Sequence, residues 1–302
     1  MDTRRLKALS RRNPIVKGVL YPAVAVRRKW LKRKALVEDA VLRNLADLVT
    51  NDLVVRVEGF DGVFDVDVHS DVFRRLVKYK CYEPELARCC TKHLDPGKDA
   101  IDVGANVGFF TVMFAKRLHE GRKVLAVEPT ANALKRLRRN IELNGVTGNV
   151  VVFEGVASDR NGDRELKIVR GREEYSSLGV MAHHSIEGAE FVSETVSSLT
   201  LDDLVKRHSI HPGFIKIDAE GSEHLVFEGA RNVMQTERPI IVSELSDFLL
   251  KKNGSASREV IEKIERCEYD VIDPIDPTAR PGESDFEDIL CAPRELNIRN
   301  SR

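Results

Sequence analysis

The chain has 302 residues, with 48 basic against 48 acidic side chains and 6% aromatic residues. That length supplies one substantial α/β core plus extensions, and a formal net charge of zero provides no global field toward nucleic acid or a membrane. Five cysteines without a C-x-x-C pair give neither a zinc ribbon nor a disulfide framework, which fits a reducing compartment and sets the expectation of a cytoplasmic protein.

The charge is unevenly spread. Between Met1 and Lys34 stand twelve Lys or Arg residues against one acid, Asp2. Residues 1–35 therefore read as a basic arm, either solvated or in peripheral contact with anionic lipid through residues 1–34. Its apolar part, Ile15 to Val26, is broken by Lys17 and Pro22 and makes a poor signal-peptide core. Residues 36–95 read as an extension. Leu36, Val37, Ala40, Val41, Leu45 and Leu48 have helical spacing, Leu53 to Val57 and Val63 to Val68 alternate as a hairpin, and Asp71 to Lys80 and Glu83 to Leu94 look helical.

At Ala100 a different pattern begins. An apolar strand runs to Val103, stops at Gly104, and gives way to a helix expected over Asn106 to His119, which is the first unit of a βαβ fold. Gly104 and Gly108 let the backbone bend and a flat ligand approach closely. Their spacing is not the G-x-G-x-x-G that seats a pyrophosphate, which disfavours a nicotinamide or flavin dinucleotide and hence a dehydrogenase. A cofactor with an amino-acid tail suits the turn: Asp102 meets an ammonium, and the amides near Gly104, Asn106 and Gly108 meet a carboxylate. S-adenosylmethionine is such a molecule. The next strand, Lys123 to Glu128, ends in an acid placed to accept bonds from both ribose hydroxyls.

Thr130 is expected to cap a helix on which Leu134, Leu137 and Ile141 alternate with Lys135, Arg136, Arg138 and Arg139. No aromatic residues interleave that basic face, so no nucleic-acid partner is expected. After the strand Val150 to Glu154, Ala157 and Ser158 are placed beside the adenine. Gly171 to Ser198 shows no clear period and reads as a long loop, a lid or substrate wall. It holds His183 and His184, which would make a metal site with Asp218 or Glu220, but the pair lacks fixed ligand spacing and no metal is expected. A helix over Leu201 to Leu204 follows, capped by Thr200.

Phe214 to Ile217 is a further apolar strand, leading into Asp218-Ala219-Glu220-Gly221. A helix over Glu223 to Val233, a strand from Ile240 to Glu244, a helix over Ser257 to Cys267 and strands at Tyr269 to Ile272 and Phe286 to Ala292 complete the pattern. This order predicts an α/β fold, a mostly parallel doubly wound Rossmann-like sheet with an antiparallel edge. Right-handed crossovers then bring Asp102, Glu128, Asp218 and Glu244 to one rim. Asp218 is the first candidate for the base or for orienting a hydroxyl, with Glu220 beside it and Lys216 on the same strand face.

Four stretches carry a resemblance to a known family: Asp102-Val-Gly-Ala-Asn-Val-Gly108, Val127-Glu-Pro129, Ser197-Ser-Leu-Thr-Leu-Asp-Asp203 and Ile215-Lys-Ile-Asp-Ala-Glu-Gly-Ser-Glu223. Together they resemble the FkbM family of S-adenosylmethionine-dependent methyltransferases from about residue 99 to 244. The resemblance implies a class I methyltransferase with a seven-stranded sheet over residues 96–294, followed by a tail over 295–302. It also implies O-methylation of a hydroxyl on a small-molecule or glycan acceptor such as a sugar or polyketide. The alternative is a non-catalytic protein that keeps the cofactor fold and docks on a membrane or partner through its basic arm.

Overall fold

A computed structural model of the chain describes residues 53–169, 176–179, 190–276, 281–282 and 287–298. The basic arm and the helix expected over 36–48 lie outside those residues, as do His183 and His184. The described chain opens with an antiparallel hairpin, β1 (Leu53–Val57) and β2 (Gly62–Val66), followed by α1 (Asp71–Tyr79) and α2 (Pro84–His93). Ser70 caps α1 by accepting a bond from the Phe73 N–H, and Pro84 opens α2 where a missing N–H costs nothing.

The alternating core follows. β3 (Asp99–Val103) leads to α3 (Phe109–Ala115), β4 (Val124–Glu128) to α4 (Ala131–Leu143), and then come β5 (Val150–Glu154), the two-residue β6 (Val156–Ala157), β7 (Gly162–Val169) and β8 (Phe191–Leu199). The second half runs α5 (Leu201–His208), β9 (Pro212–Ile217), α6 (Glu223–Glu228), α7 (Arg231–Thr236), β10 (Ile240–Leu245), α8 (Asp247–Lys252), α9 (Ser257–Arg266), β11 (Tyr269–Ile272) and β12 (Glu287–Pro293). Seven strands form the main sheet in the order β5-β4-β3-β9-β10-β12-β11. β12 is antiparallel to both neighbours and the other pairs are parallel. The antiparallel strand thus stands one place in from the edge, because the chain reaches the edge as β11 and returns into the gap as β12.

Every residue of β3 and β4 is buried, as a parallel sheet covered on both faces requires. The period of two divides them between two cores. Ala100, Val124, Ala126, Phe214 and Val242 face α3, α4 and the hairpin, whereas Ile101, Val103, Leu125, Val127, Ile215, Ile217 and Ile241 face the helices of the second half. The hairpin enters the first core through aromatic rings: Phe64 and Tyr82 lie 4.6 and 5.1 Å from Phe109, and Phe60 lies 5.2 Å from Phe110.

Four expectations are corrected in whole or in part. The helix expected from Asn106 starts only at Phe109, since Asn106 and Gly108 take left-handed φ angles of 48° and 91°. The helix expected over Glu223 to Val233 is two short helices, α6 and α7, parted where a Cβ on Gly229 would lie 2.0 Å from the Ser158 carbonyl oxygen. Thr130 holds the N-cap position of α4 as expected, but without a side-chain capping bond, because its hydroxyl donates to Glu128 Oε1 at 2.6 Å. Within the expected loop, residues 191–199 are β8, which pairs antiparallel with β7 and parallel with β6. That strand is solvated along most of its length, so it carries no alternation to read.

The outer edge of β2 is satisfied by side chains. Asn144 Oδ1 accepts from the Val63 N–H at 3.0 Å and its Nδ2 donates to the Val63 carbonyl at 2.6 Å. One helical turn earlier, Asn140 does the same for Asp65, at 2.6 and 3.2 Å, and also donates to the Val107 carbonyl at 2.8 Å. Two amides thus stand in for a third strand and close an edge that would otherwise invite pairing. Asn140 is fully buried, so removing it strands both backbone groups of Asp65. We expect Asn140→Ala to lose about 2–4 kcal/mol of stability in urea unfolding, and a loss below about 0.5 kcal/mol would show that the edge is satisfied otherwise.

Candidate active site

β3, β4 and β9 end side by side, and a half-open cavity lies beyond them, at the carboxyl ends where doubly wound sheets bind ligands. Its wall takes in Gly104, Asn106, Glu128, Ala157, Lys216, Asp218 and Glu220. Of the residues singled out in the sequence, Asp102, Gly108 and Ser158 are not on it.

On the β9 side the centre is Lys216, which is 3% exposed. The parallel register sets Lys216 directly beside Asp102, with Nζ 3.7 Å from Asp102 Oδ1 and 3.2 Å from Asp218 Oδ2. The ammonium also lies 5.0 Å from the centre of the Phe110 ring, a favourable cation–π position. Burial alone would lower its pKa, but Asp218, Asp102 and Glu83 outweigh it and the pKa rises. Lys216 therefore stays charged. Asp102 is fully buried, accepts a 2.6 Å bond from the Thr111 hydroxyl, and has its own pKa raised by burial against the pull of Lys216. Its carboxylate lies beside the lysine and off the cavity wall, with Oδ1 without a hydrogen-bond partner.

On the β4 side Glu128 is buried, and burial raises its pKa against bonds from Thr130 and Asn106. Oε1 accepts from both the N–H and the hydroxyl of Thr130, and Oε2 accepts from the Asn106 N–H at 2.9 Å. Of a carboxylate's four lone-pair positions, one remains, on Oε2. The sequence reading gives Glu128 both ribose hydroxyls, and the open position on Oε2 takes one of them without displacing an internal bond.

The turn between these sides is tight. A Cβ on Gly104, at φ 74°, would lie 1.9 Å from the Asp218 carbonyl oxygen, and one on Gly108 would lie 2.6 Å from Leu137 Cδ1. Gly108 is thus needed for packing on α4, away from the cavity. The amides of Gly104 and Ala105 both donate to the Val127 carbonyl, and that of Gly108 to Ala105. With Asn106 donating to Glu128, most of the expected carboxylate cradle is already engaged. Ser158 is likewise turned away, its hydroxyl donating to Asp159 at 3.0 Å and accepting from Arg164 at 3.1 Å.

Sequence reading missed three contributors. Tyr82 and Glu83 reach the wall from the start of α2, where a Glu-Pro pair looks like any helix beginning. Glu223 folds back under the Asp218 loop, its Oε1 accepting from the Ala219 and Gly221 N–H groups at 3.1 and 3.0 Å. The signal available for it was an acid closing a Glu-Gly turn. Among the described residues, no three His, Cys, Asp or Glu side chains are grouped as metal ligands.

The family model for the methyltransferase FkbM domain matches residues 102–271. The chain belongs to the FkbM methyltransferase family. It is an S-adenosylmethionine-dependent methyltransferase with the class I fold. The hexuronic acid methyltransferase AglP of Haloferax volcanii is 23% identical over 64% of this chain and 74% of its own length. The 31-O-demethyl-FK506 methyltransferase FkbM of Streptomyces tacrolimicus is 27% identical over 63% of this chain and 80% of its own. A solved FkbM methyltransferase from Methylobacillus flagellatus KT aligns with a TM-score of 0.41 and 16% identity, over 65% of this chain and 44% of that one.

The cavity fits the methyl donor chemically. It offers apolar walls from Val127, Ala133, Val156, Leu166 and Leu178, the open position on Glu128, and the wall residue Ser176, whose buried hydroxyl is without a hydrogen-bond partner. Flat apolar walls with few polar groups suit a nucleoside.

The Asp218 loop makes stability depend on pH. Burial pushes the Glu223 carboxyl up from 4.5 to about 7. The folded chain therefore binds this proton more tightly than the unfolded chain, and stability falls as pH rises from about 4.5 to 7. Glu223→Gln keeps the accepting oxygen and cannot ionise. Thermal melts should show the variant gaining on the parent across that window, by about 3 kcal/mol at most, while parallel curves would refute the assignment.

Proposed function

We propose that this methyltransferase transfers its methyl group to a hydroxyl of a sugar, glycan or polyketide-like metabolite. The observation that carries the reading is one cavity with a nucleoside-type wall at Glu128 and a charged Lys216–Asp218 pair at its other side, the two separated by β3. The relatives act on a hexuronic acid and on a demethylated FK506, both of which carry hydroxyls.

When bound, S-adenosylmethionine supplies an electrophilic methyl on a sulfonium, so the protein's work is alignment, exclusion of water and removal of one proton. Glu128 takes one ribose hydroxyl on its open Oε2 position. Ala157 and its apolar neighbours flank the adenine, while Gly104 and Asn106 shape the turn beneath the amino-acid tail. Lys216, with Nζ 3.2 Å from Asp218 Oδ2, fixes the direction of that carboxylate. Asp218 then accepts the hydrogen bond of the acceptor hydroxyl and receives its proton as oxygen attacks. Holding two groups in line is worth about 7–11 kcal/mol in favourable cases. Glu220, at φ 46° with its carbonyl held by the Ser177 hydroxyl at 2.9 Å, borders the acceptor. No described helix is long and apolar enough to cross a membrane. We place the enzyme in the cytoplasm because its five cysteines, without a C-x-x-C pair, fit a reducing compartment.

The test is an acceptor panel of uronic acids, neutral sugars and hydroxylated macrolides incubated with the methyl donor, read by mass spectrometry as methyl ethers and by formation of S-adenosylhomocysteine. Methyl ethers support the reading; methylation only at nitrogen or carbon overturns it. With a competent acceptor, Asp218→Asn should lower kcat by about a hundredfold to ten-thousandfold and leave calorimetric cofactor binding within about threefold.

A further inference from the structure

The cavity carries a charge that none of the family motifs supplies. Glu83 precedes the matched domain, which begins at residue 102, yet it stands on the same wall as Lys216, Asp218 and Glu220. Its backbone is left-handed, with φ 39° and ψ 58°, an uncommon conformation for a side chain of this size. Such conformations persist where the surroundings impose them. Here the preceding residue, Tyr82, is packed between Phe60 and Phe109 at 6.5 and 5.1 Å. The strain places a carboxylate at the cavity.

Acids outnumber cations at this end of the cavity. Lys216 is shared between Asp102 and Asp218. Glu83 pairs with Arg75 at 3.3 Å, and the arginine side chain is 48% exposed, so water screens much of its charge. The groups facing Glu83 are Asp218 and Lys216 from the β9 end, Asp288 from β12, Arg75 from α1, and Glu244 and Tyr82 nearby. Burial pushes Asp288 up to about 6 and raises Glu244 as well, so this end of the cavity turns negative as pH rises.

S-adenosylmethionine carries a sulfonium there and its product, S-adenosylhomocysteine, an uncharged thioether. We propose that Glu83 is a specificity-determining residue by which the N-terminal extension lets the enzyme hold its cationic cofactor and release the neutral product. An excess carboxylate in a partly desolvated cavity attracts the sulfonium and does little for the thioether. Burial pushes the Glu83 carboxyl up from 4.5 to about 7, with Asp218 adding to the rise and Lys216 and Arg75 opposing it. Discrimination therefore strengthens as pH rises through neutrality. The inference rests on the reading that the cavity binds the cofactor with its sulfonium toward Asp218.

The test needs no acceptor. Calorimetry on the full chain measures dissociation constants for S-adenosylmethionine and S-adenosylhomocysteine from about pH 6 to about pH 8.5, for the parent and for Glu83→Gln. In the parent, the ratio of product to cofactor dissociation constants should rise about tenfold across that range, equivalent to about 1.4 kcal/mol. In the variant the ratio should change far less, with product affinity nearly that of the parent. The amino group of each ligand titrates alike in the two proteins, so their difference isolates Glu83. Equal ratios and equal pH dependence in parent and variant would overturn the proposal. If the variant does not fold, a pH-independent ratio in the parent overturns it alone. If the parent binds neither ligand, the reading of the cavity falls first and the proposal falls with it.

Discussion

A buried ammonium organises this molecule. Lys216 lies within the first core, where an isolated cation would lose far more hydration than packing returns. It is tolerated because the β3–β9 register puts Asp102 at its side and the end of β9 puts Asp218 above it. This arrangement has a structural consequence as well as an electrostatic one. β3 and β9 cannot slip by one residue without sending a carboxylate to one core and its lysine to the other. The charged pair therefore fixes the register of the two central strands, and with it the place where the cavity opens.

That constraint explains the division of labour among the acids. Asp102 is spent on the lysine and on Thr111, Glu128 mostly on Thr130 and Asn106, and Glu223 on the loop beneath Asp218. Acids that look alike at the ends of similar strands thus differ in what they have left to offer a ligand. Asp218 and Glu83 stand on the wall itself, and Asp218 is held ready by a cation that cannot leave. Protein groups satisfying one another before a ligand arrives is what a preorganised site requires.

Much of this was legible in the sequence, and the failures have physical causes. The apolar runs ending at Val103, Glu128 and Ile217 each mark a fully buried parallel strand, so the sheet and the shared rim followed from pattern alone. β8 was missed because it is solvated along most of its length, and a strand with little to bury leaves no alternation. The amide cradle was overestimated because sequence shows which residues are in a turn but not whom their N–H groups already serve. Glu83 was invisible for another reason. Its importance comes from a left-handed backbone next to the packed Tyr82 ring, and neither leaves a spacing signature.

The paired asparagines on α4 set a limit on the N-terminal extension. Four helical residues advance about 6.0 Å while two strand residues advance about 6.6 Å, so Asn140 and Asn144 can match Asp65 and Val63 with little strain. A third rung would be out of step by about 1.2 Å and further displaced by strand twist. A helix can therefore imitate a strand for two rungs and no more. The Asn140 rung, beside Asp65, also grips Val107 in the turn below Glu128. Any shift of that turn is felt at the hairpin through a single side chain.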